Sequence, residues 1–228
     1  MANPLPRPTG TYLETLPDAA RGALLDLGAS RLCRRGEALM REGDLSDHVV
    51  LIEQGLVKAT VTLENGRVAL LNIKVGGDLI GEMALITGEP RSATVTACVD
   101  SRVRVVSAAA FTRFLTDHPA AHFALDRTIV RTMRWGEQRR TDFNGYSASA
   151  RLARVLVYLA DAYGRKSVGG VALKLGLTQG EIGSLVGVEE DTARREFRTL
   201  RDREAITVGY RSVTIVDRDR LREIGELT

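Results

Sequence analysis

The chain has 228 residues, 44% of them hydrophobic and 27% charged, an ordinary globular composition with material for more than one core. Only 5% is aromatic, and no run approaches the roughly 18 uninterrupted apolar residues of a membrane-crossing helix, which excludes a protein built on such helices. The net charge of +3 does not by itself imply nucleic acid, and two cysteines, Cys33 and Cys98, are too few for a disulfide framework, a four-cysteine zinc site or a cysteine-ligated iron–sulfur cluster.

In chain order, MANPLPRPTG has Pro and Gly where a secretory leader needs an apolar stretch, so residues 1–10 read as a flexible tail on a cytoplasmic chain. Helix spacing follows over 17–27, with Ala19, Ala20, Ala23, Leu24 and Leu27 apolar and Gly28 just past the end. From Arg31 to Val106 the texture changes to short runs rich in Val, Ile, Thr and Leu, at 48–53, 56–63, 68–74, 93–98 and 103–106. Between the second and third stands Glu64-Asn65-Gly66-Arg67, whose Asn-Gly suits a type I′ hairpin turn. Many short strands punctuated by Gly predict an antiparallel sandwich or jelly roll over 1–116.

Strand texture stops near Ser107. From 111 to about 143 only Pro119 and Gly136 interrupt, so a long helix is predicted from near Pro119, which suits a first turn, and it defines a segment 117–144. Leu125, Ile129, Thr132 or Met133, and Gly136 follow 3–4 spacing as a narrow apolar stripe. That stripe fits either a helix packed on its own domain or a two-helix dimer seam. Asn144-Gly145 is expected to break the helix and serve as a hinge. Beyond it, 149–162 is amphipathic, with Leu152, Val155, Leu156 and Leu159 on one face.

The segment 145–228 carries 14 basic and 12 acidic residues, with five arginines between Arg194 and Arg203. Thr178-Gln179-Gly180-Glu181 has capping-box spacing ahead of Ile182, Leu185 and Val186, and Gly187 ends that short helix. A second helix is predicted over 190–201 with Ala193, Phe197 and Leu200 inward. Short helix, Gly turn and second helix form a helix-turn-helix, locked by Ile182, Leu185, Val188, Ala193 and Phe197. The outward residues Glu190, Asp191, Arg194, Arg195 and Arg198 suit base edges: Arg grips guanine N7 and O6, and a carboxylate accepts from the cytosine amine. The same pattern also fits a solvated helix whose acids favour the positive N-terminus. Gly209-Tyr210-Arg211-Ser212 between two short strand runs reads as a wing that lays Arg211 against a phosphate.

Gly81-Glu82-Met83-Ala84-Leu85 followed by Arg91-Ser92-Ala93-Thr94 closely resembles the phosphate-binding cassette of cyclic-nucleotide-binding domains. Its chemistry suits an anion: Gly81 leaves backbone N–H groups open, Arg91 offers a cationic fork, Ser92 a hydroxyl donor, and Glu82 an acceptor for a ribose hydroxyl. The order of sandwich, long helix and winged helix resembles the Crp/Fnr family of bacterial transcription regulators over about residues 13–224. The resemblance implies an α+β architecture: an N-terminal antiparallel β jelly roll as sensor, a long dimerisation helix and a C-terminal winged helix-turn-helix. It implies a homodimer, a cyclic nucleotide such as cAMP as effector, double-stranded DNA with a palindromic operator, and RNA polymerase as partner.

By the same resemblance Glu82 would hold the 2′-hydroxyl and Arg91 and Ser92 the cyclic phosphate, with Gly81, Met83, Ala84 and Ala93 completing the pocket. Thr178, Gln179, Glu190, Asp191, Thr192, Arg194, Arg195, Arg198 and Arg211 would meet DNA. Two departures stand out. The family's cAMP-responsive members place a Thr-Ser pair on the long helix where this chain has Gly136-Glu137, with Thr132 and Thr141 a turn away. They also place an Arg where the recognition helix here has Glu190. Open alternatives are a structural Glu82–Arg91 ion pair in a domain with a different effector or none, and a signalling module acting through protein contacts. Haem ligation by His48, His118 or His122 and a redox role for Cys33 are weaker readings than surface histidines and buried thiols. No nucleophile–base pair, metal-ligand cluster or paired carboxylate points to an enzyme.

Overall fold

A computed structural model describes residues 10–227, so the expected tail, apart from Gly10, lies outside the described residues. Contacts divide the chain into two compact units: the residues up to Val68 with Asn72–Arg134, and Ala69–Leu71 with Trp135 onward.

In the first unit the strand runs form two antiparallel four-stranded sheets. One has the order β1 (Ala29–Cys33), β8 (Ser101–Ser107), β3 (His48–Gln54), β6 (Leu79–Ile80). The other runs β2 (Ala38–Met40), β7 (Thr94–Ala97), β4 (Leu56–Thr62), β5 (Val68–Val75). This is the expected jelly roll. Strand β3 shows why its sequence is continuously apolar rather than alternating. Val50 and Ile52 point into the sandwich with Met40, Val57, Val95 and Val103, while Val49 and Leu51 point to the other face, against helices. Each such fully buried aliphatic contributes about 1.5–3 kcal/mol. β1, β2 and β6 were not predicted as strands: β1 exposes all but Cys33, and β6 is two residues long.

The predicted hairpin joins β4 to β5, but its turn is not type I′. That geometry needs positive φ at both central residues, and here Gly66 alone has it (φ +78°). The Gly66 N–H donates to Leu63 O at 2.8 Å and the Leu63 N–H to Arg67 O at 2.8 Å, a three-residue loop with Gly in the left-handed position.

The helical layer comprises α1 (Tyr12–Thr15), α2 (Asp18–Asp26), α3 (Glu82–Thr87), α4 (Ala108–Asp117) and the start of α5 (Pro119–Gly145). Tyr12, Leu24, Phe111 and Phe114 form its core with Val49, Leu51 and Leu79. His118 ends α4, its N–H donating to Phe114 O at 2.9 Å and its ring 5.0 Å from that of Phe114. Long helix α5 begins at Pro119 as expected. Its stripe divides: Leu125, with Ala121, Ala124 and Thr128, is buried against its own unit and Ile129 packs beside them, whereas Met133 faces outward. Phe123, Val130 and Met133 are instead an exposed apolar face at 3–4 and 7 spacing.

Asn144 and Gly145 remain helical, and the break comes at Tyr146-Ser147 because Ser147 caps the next helix, accepting from the Ala150 N–H at 3.2 Å. The second unit then holds α6 (Ala148–Tyr163), β9 (Arg165–Ser167), β10 (Gly170–Leu173), α7 (Gln179–Ser184), α8 (Glu190–Asp202), β11 (Ile206–Gly209), β12 (Ser212–Ile215) and α9 (Arg218–Ile224). Its sheet has the order β11-β12-β10-β9, so the wing is part of a four-stranded sheet rather than an isolated hairpin. β9, β10 and α9 were not anticipated.

Candidate functional site

The cassette folds as a tight cradle. Gly81 precedes α3 at φ +88°, and a Cβ there would lie 2.6 Å from Arg91 Nη1 and 2.6 Å from Met40 Cε, so only glycine fits. Arg91 is buried, and its guanidinium donates from Nε to Ser46 Oγ at 3.0 Å, from Nη1 to Gly81 O at 2.8 Å and from Nη2 to His48 O. Three of its five donors therefore hold the cradle together, which residue reasoning did not foresee. Desolvation and the Arg91 charge hold the His48 imidazole below its usual range.

Glu82 is buried at 7% exposure, yet no ion pair joins it to Arg91 among the described residues, so the structural-pair alternative is not what the fold contains. Met83 and Ser92 are exposed, and Ala84 and Ala93 are half-buried. The predicted set thus splits into a buried pair of opposite charge and an open rim.

Residues outside the motif complete the surroundings. Asp78 is buried and accepts from the Val75 N–H at 3.0 Å. From β5, Lys74 Nζ donates to Thr132 Oγ1 on α5 at 3.4 Å, and Thr132 Oγ1 donates on to Thr128 O at 3.1 Å. Burial pushes the Asp78 and Glu82 carboxyls above the ordinary range, and Lys74 is the largest charge opposing that rise in both. A single hint of this cluster was legible beforehand: Thr132 was a hydroxyl close to the vacant Thr-Ser position. Both cysteines are buried, and the Cys33 thiol is pushed up to about 11, by burial first and then by Glu37. A protonated thiol is a poor redox switch.

The helix-turn-helix forms as its signals imply. Thr178 Oγ1 accepts from the Glu181 N–H at 3.1 Å, and Glu181 Oε2 accepts from the Thr178 N–H at 2.7 Å, a closed capping box. A Cβ on Gly183 would sit 2.4 Å from Ala193 Cβ, so that glycine permits the close crossing of α7 and α8. Ile182, Leu185, Val188, Ala193, Phe197 and Leu200 are all buried. Glu190, Asp191, Arg194, Arg195 and Arg198 lie on the outer side of α8, with Thr192 half-buried beside them and Gln179 in the first turn of α7.

Several side chains predicted for this surface have partners within the protein. Arg194 pairs with both Glu190 and Asp191, the latter at 3.3 Å, so the two acids of the first turn share one guanidinium. Arg195, 3.3 Å from Glu196, and Arg198 are left as the forward cations. Arg211, placed at φ +48° on the wing turn, donates from Nη1 to Gly176 O at 2.9 Å instead of projecting freely, while Tyr210 at the tip is 87% exposed. The wing tip thus exposes an aromatic ring, while the Arg211 guanidinium is tied to the backbone.

Sequence reasoning missed a buried joint in the second unit. Asp142 accepts from Gln138 Nε2 at 2.8 Å and Arg139 Nη2 at 2.6 Å, and lies 3.2 Å from Arg154 Nε on α6. Arg139 stacks on Trp135 at 4.0 Å and Trp135 on Tyr158 at 3.9 Å. Side chains from two helices converge here, and no local spacing signals it. Among the described residues no group of three or more His, Cys, Asp or Glu is arranged to hold a metal ion.

Two stretches of the chain match known families. Residues 30–118 match a family model described as a cyclic nucleotide-binding domain, and 150–224 match one described as a Crp-like helix-turn-helix domain. A CRP-like cAMP-activated global transcriptional regulator of Mycobacterium tuberculosis is 28% identical over 187 residues, spanning 82% of this chain and 84% of that protein. The cAMP-activated global transcriptional regulator CRP of Escherichia coli O157:H7 is 24% identical over 181 residues, 78% of this chain and 84% of its own. Among solved structures, a CRP-family transcriptional regulator from Thermus thermophilus matches with TM-score 0.74 at 25% identity, over 86% of this chain and 96% of that one. The c-di-GMP responsive global regulator CLP of Xanthomonas campestris matches with TM-score 0.76 at 16% identity over 87% and 99%, a likeness of fold alone.

Proposed function

The chain belongs to the Crp/Fnr family of transcription regulators, which are not enzymes, and from that premise we propose a homodimer that binds a palindromic DNA site under the control of a cyclic nucleotide such as cAMP. The proposed division is a sensor over 1–116, a dimerisation helix over 117–144 and a DNA-binding domain over 145–228, working in the cytoplasm with RNA polymerase as partner.

The observation that carries DNA reading is α8: buried Ala193, Phe197 and Leu200 on one side fix its orientation, so Arg195 and Arg198 are presented on the other. Arg195 suits a guanine, and Asp191 a cytosine once a base competes it away from Arg194. Thr178, Gln179, Thr192 and Glu190 border that surface, with Arg211 and Tyr210 on the wing beside the phosphates.

Exposed Phe123, Val130 and Met133 support dimerisation, since a two-fold axis along α5 buries the same three residues twice. In the sensor, Glu82 accepts from the ribose. The two uncommitted Arg91 donors, with Ser92 and the backbone about Gly81, Met83, Ala84 and Ala93, meet the phosphate.

Selection from random duplexes tests the reading. Enrichment of a palindrome with half-sites about one helical turn apart, roughly 34 Å, is expected. Affinity should also fall steeply with salt as phosphate contacts are released. Recovery of no common sequence would overturn base reading and favour a module acting through protein contacts.

A further inference from the structure

We propose that Arg211 is a positioning residue for DNA binding: it ties the wing to the loop that enters α7, so that the Tyr210 hydroxyl, not the Arg211 guanidinium, meets a phosphate of the duplex. This deepens the DNA-binding reading above and rests on it.

Gly209 pairs with Ser212 and Val208 with Val213, so Tyr210 and Arg211 alone make the turn between β11 and β12. Arg211 sits there at φ +48°, a left-handed conformation that glycine adopts freely and a residue with a Cβ does not. Glycine would suit the backbone better, so the reason for arginine lies in its side chain. Its Nη1 donates to Gly176 O at 2.9 Å, the one hydrogen bond that side chain makes among the described residues. Gly176 belongs to the loop between β10 and α7, just before Thr178, the residue that caps α7. Leu175 and Leu177 on either side of it are buried, which anchors the acceptor. The bond thus fixes the wing tip against the start of the helix-turn-helix.

Tyr210 and Arg211 line one groove with Thr178, Gln179, Glu190 and Arg194, so the wing, α7 and α8 border the same space. Half-buried Arg211 is committed to the wall of that groove. Tyr210 is 87% exposed, and its hydroxyl has no partner among the described residues. A tyrosine hydroxyl donates well to a phosphate oxygen, a contact that orients a protein on the duplex without reading sequence. A wing released from Gly176 O loses that contact, while α8 keeps its own.

The experiment is fluorescence anisotropy of the full-length protein with two labelled duplexes, the palindrome enriched by selection and one of random sequence, over about 50–200 mM salt. Wild type is compared with Tyr210→Phe, Arg211→Met, Arg211→Gly and the combination of Tyr210→Phe with Arg211→Met. Tyr210→Phe should weaken binding to both duplexes by about tenfold, the worth of a hydrogen bond to a charged acceptor. Arg211→Met should lose about as much, with the slope of affinity against salt unchanged, because no cation leaves a phosphate. The combination should be no more than about twofold weaker than the weaker single variant, since both break one contact. Arg211→Gly suits the turn and removes only the tie, so it should bind as weakly as Arg211→Met. Thermal unfolding identifies any loss due to misfolding, and Arg211→Gly carries the test if the Met variant does not fold. A salt slope that falls by about one in folded Arg211→Met means that Arg211 itself meets a phosphate, and overturns the proposal. Losses that multiply to about a hundredfold in the combination overturn it as well, as does wild-type binding by either Tyr210→Phe or Arg211→Met. A wild type that retains neither duplex instead overturns the DNA-binding reading, and this role with it.

Discussion

Replacing Asp142 by Asn should cost the C-terminal unit about 3–5 kcal/mol, the loss that follows when one partner of a buried ion pair is removed. The Asp142 side chain is 3% exposed, and the Arg139 and Arg154 side chains against it are 16% and 14% exposed. One carboxylate thus serves two guanidiniums. Without it, two like charges remain in a medium of low dielectric, and of the two only Arg154 has another hydrogen-bond acceptor among the described residues, Gly225 O at 2.8 Å. Among the described residues, Arg139 Nε and Nη1 are already buried without a hydrogen-bond partner, as is Trp135 Nε1. Asn retains one acceptor oxygen but directs an amide donor at an arginine. Urea unfolding followed by the fluorescence of Trp135, the single tryptophan, reads this unit directly. Asp191→Asn is the control: its pair with Arg194 is 3.3 Å long but its side chain is 97% exposed, so the unfolding midpoint should stay where it is. A loss in Asp142→Asn below about 1 kcal/mol, with the slope unchanged, would refute the reasoning that the joint is desolvated.

Other changes probe the remaining parts. Arg195→Ala should weaken DNA binding by about 1–3 kcal/mol and relax preference at one base pair; equal loss on every duplex would instead mean a phosphate contact. Phe123→Glu with Met133→Glu should shift sedimentation from dimer to monomer while the sensor stays folded, and an unmoved dimer would place the seam elsewhere. Glu82→Gln should raise the sensor's thermal stability at neutral pH while lowering nucleotide affinity. The sign follows from burial, which raises the folded carboxyl above its ordinary 4.5. The stability linked to Glu82 is present below that value and lost as pH rises through the raised one. The gain from Gln should therefore vanish in unfolding experiments at pH below 4.5; a gain of equal size at all pH would exclude a titration origin.

Much of the fold was legible because its signals are local. The Thr178–Glu181 capping box, the Gly187 turn and the 3–4 spacing of Ala193, Phe197 and Leu200 each act within a few residues, and the helix-turn-helix followed from them. The strand runs were legible where both faces are buried, as in β3, and not where one edge residue carries the element, as in β1. Asn65-Gly66 marked a hairpin but not its loop length, since that depends on the pairing of Leu63 with Arg67. The α5 stripe was assigned to one face when apolar residues occupy two, because spacing alone does not say which face meets the sheet. Arg91 and Glu82 were found as motif residues, but the three bonds of Arg91, the approach of Lys74 and the Asp142 joint require residues distant in sequence to converge.

Fluorescence anisotropy of a selected palindromic duplex, titrated with the protein in the absence and presence of cAMP or cGMP, tests ligand-controlled DNA binding most directly. An effector that favours the DNA-competent arrangement should raise affinity saturably, by a factor on the order of 5–150, the usual range of coupling between two sites. Arg91→Ala should abolish that response while leaving effector-free binding in place. Affinity for the duplex that is the same with and without either nucleotide would contradict it.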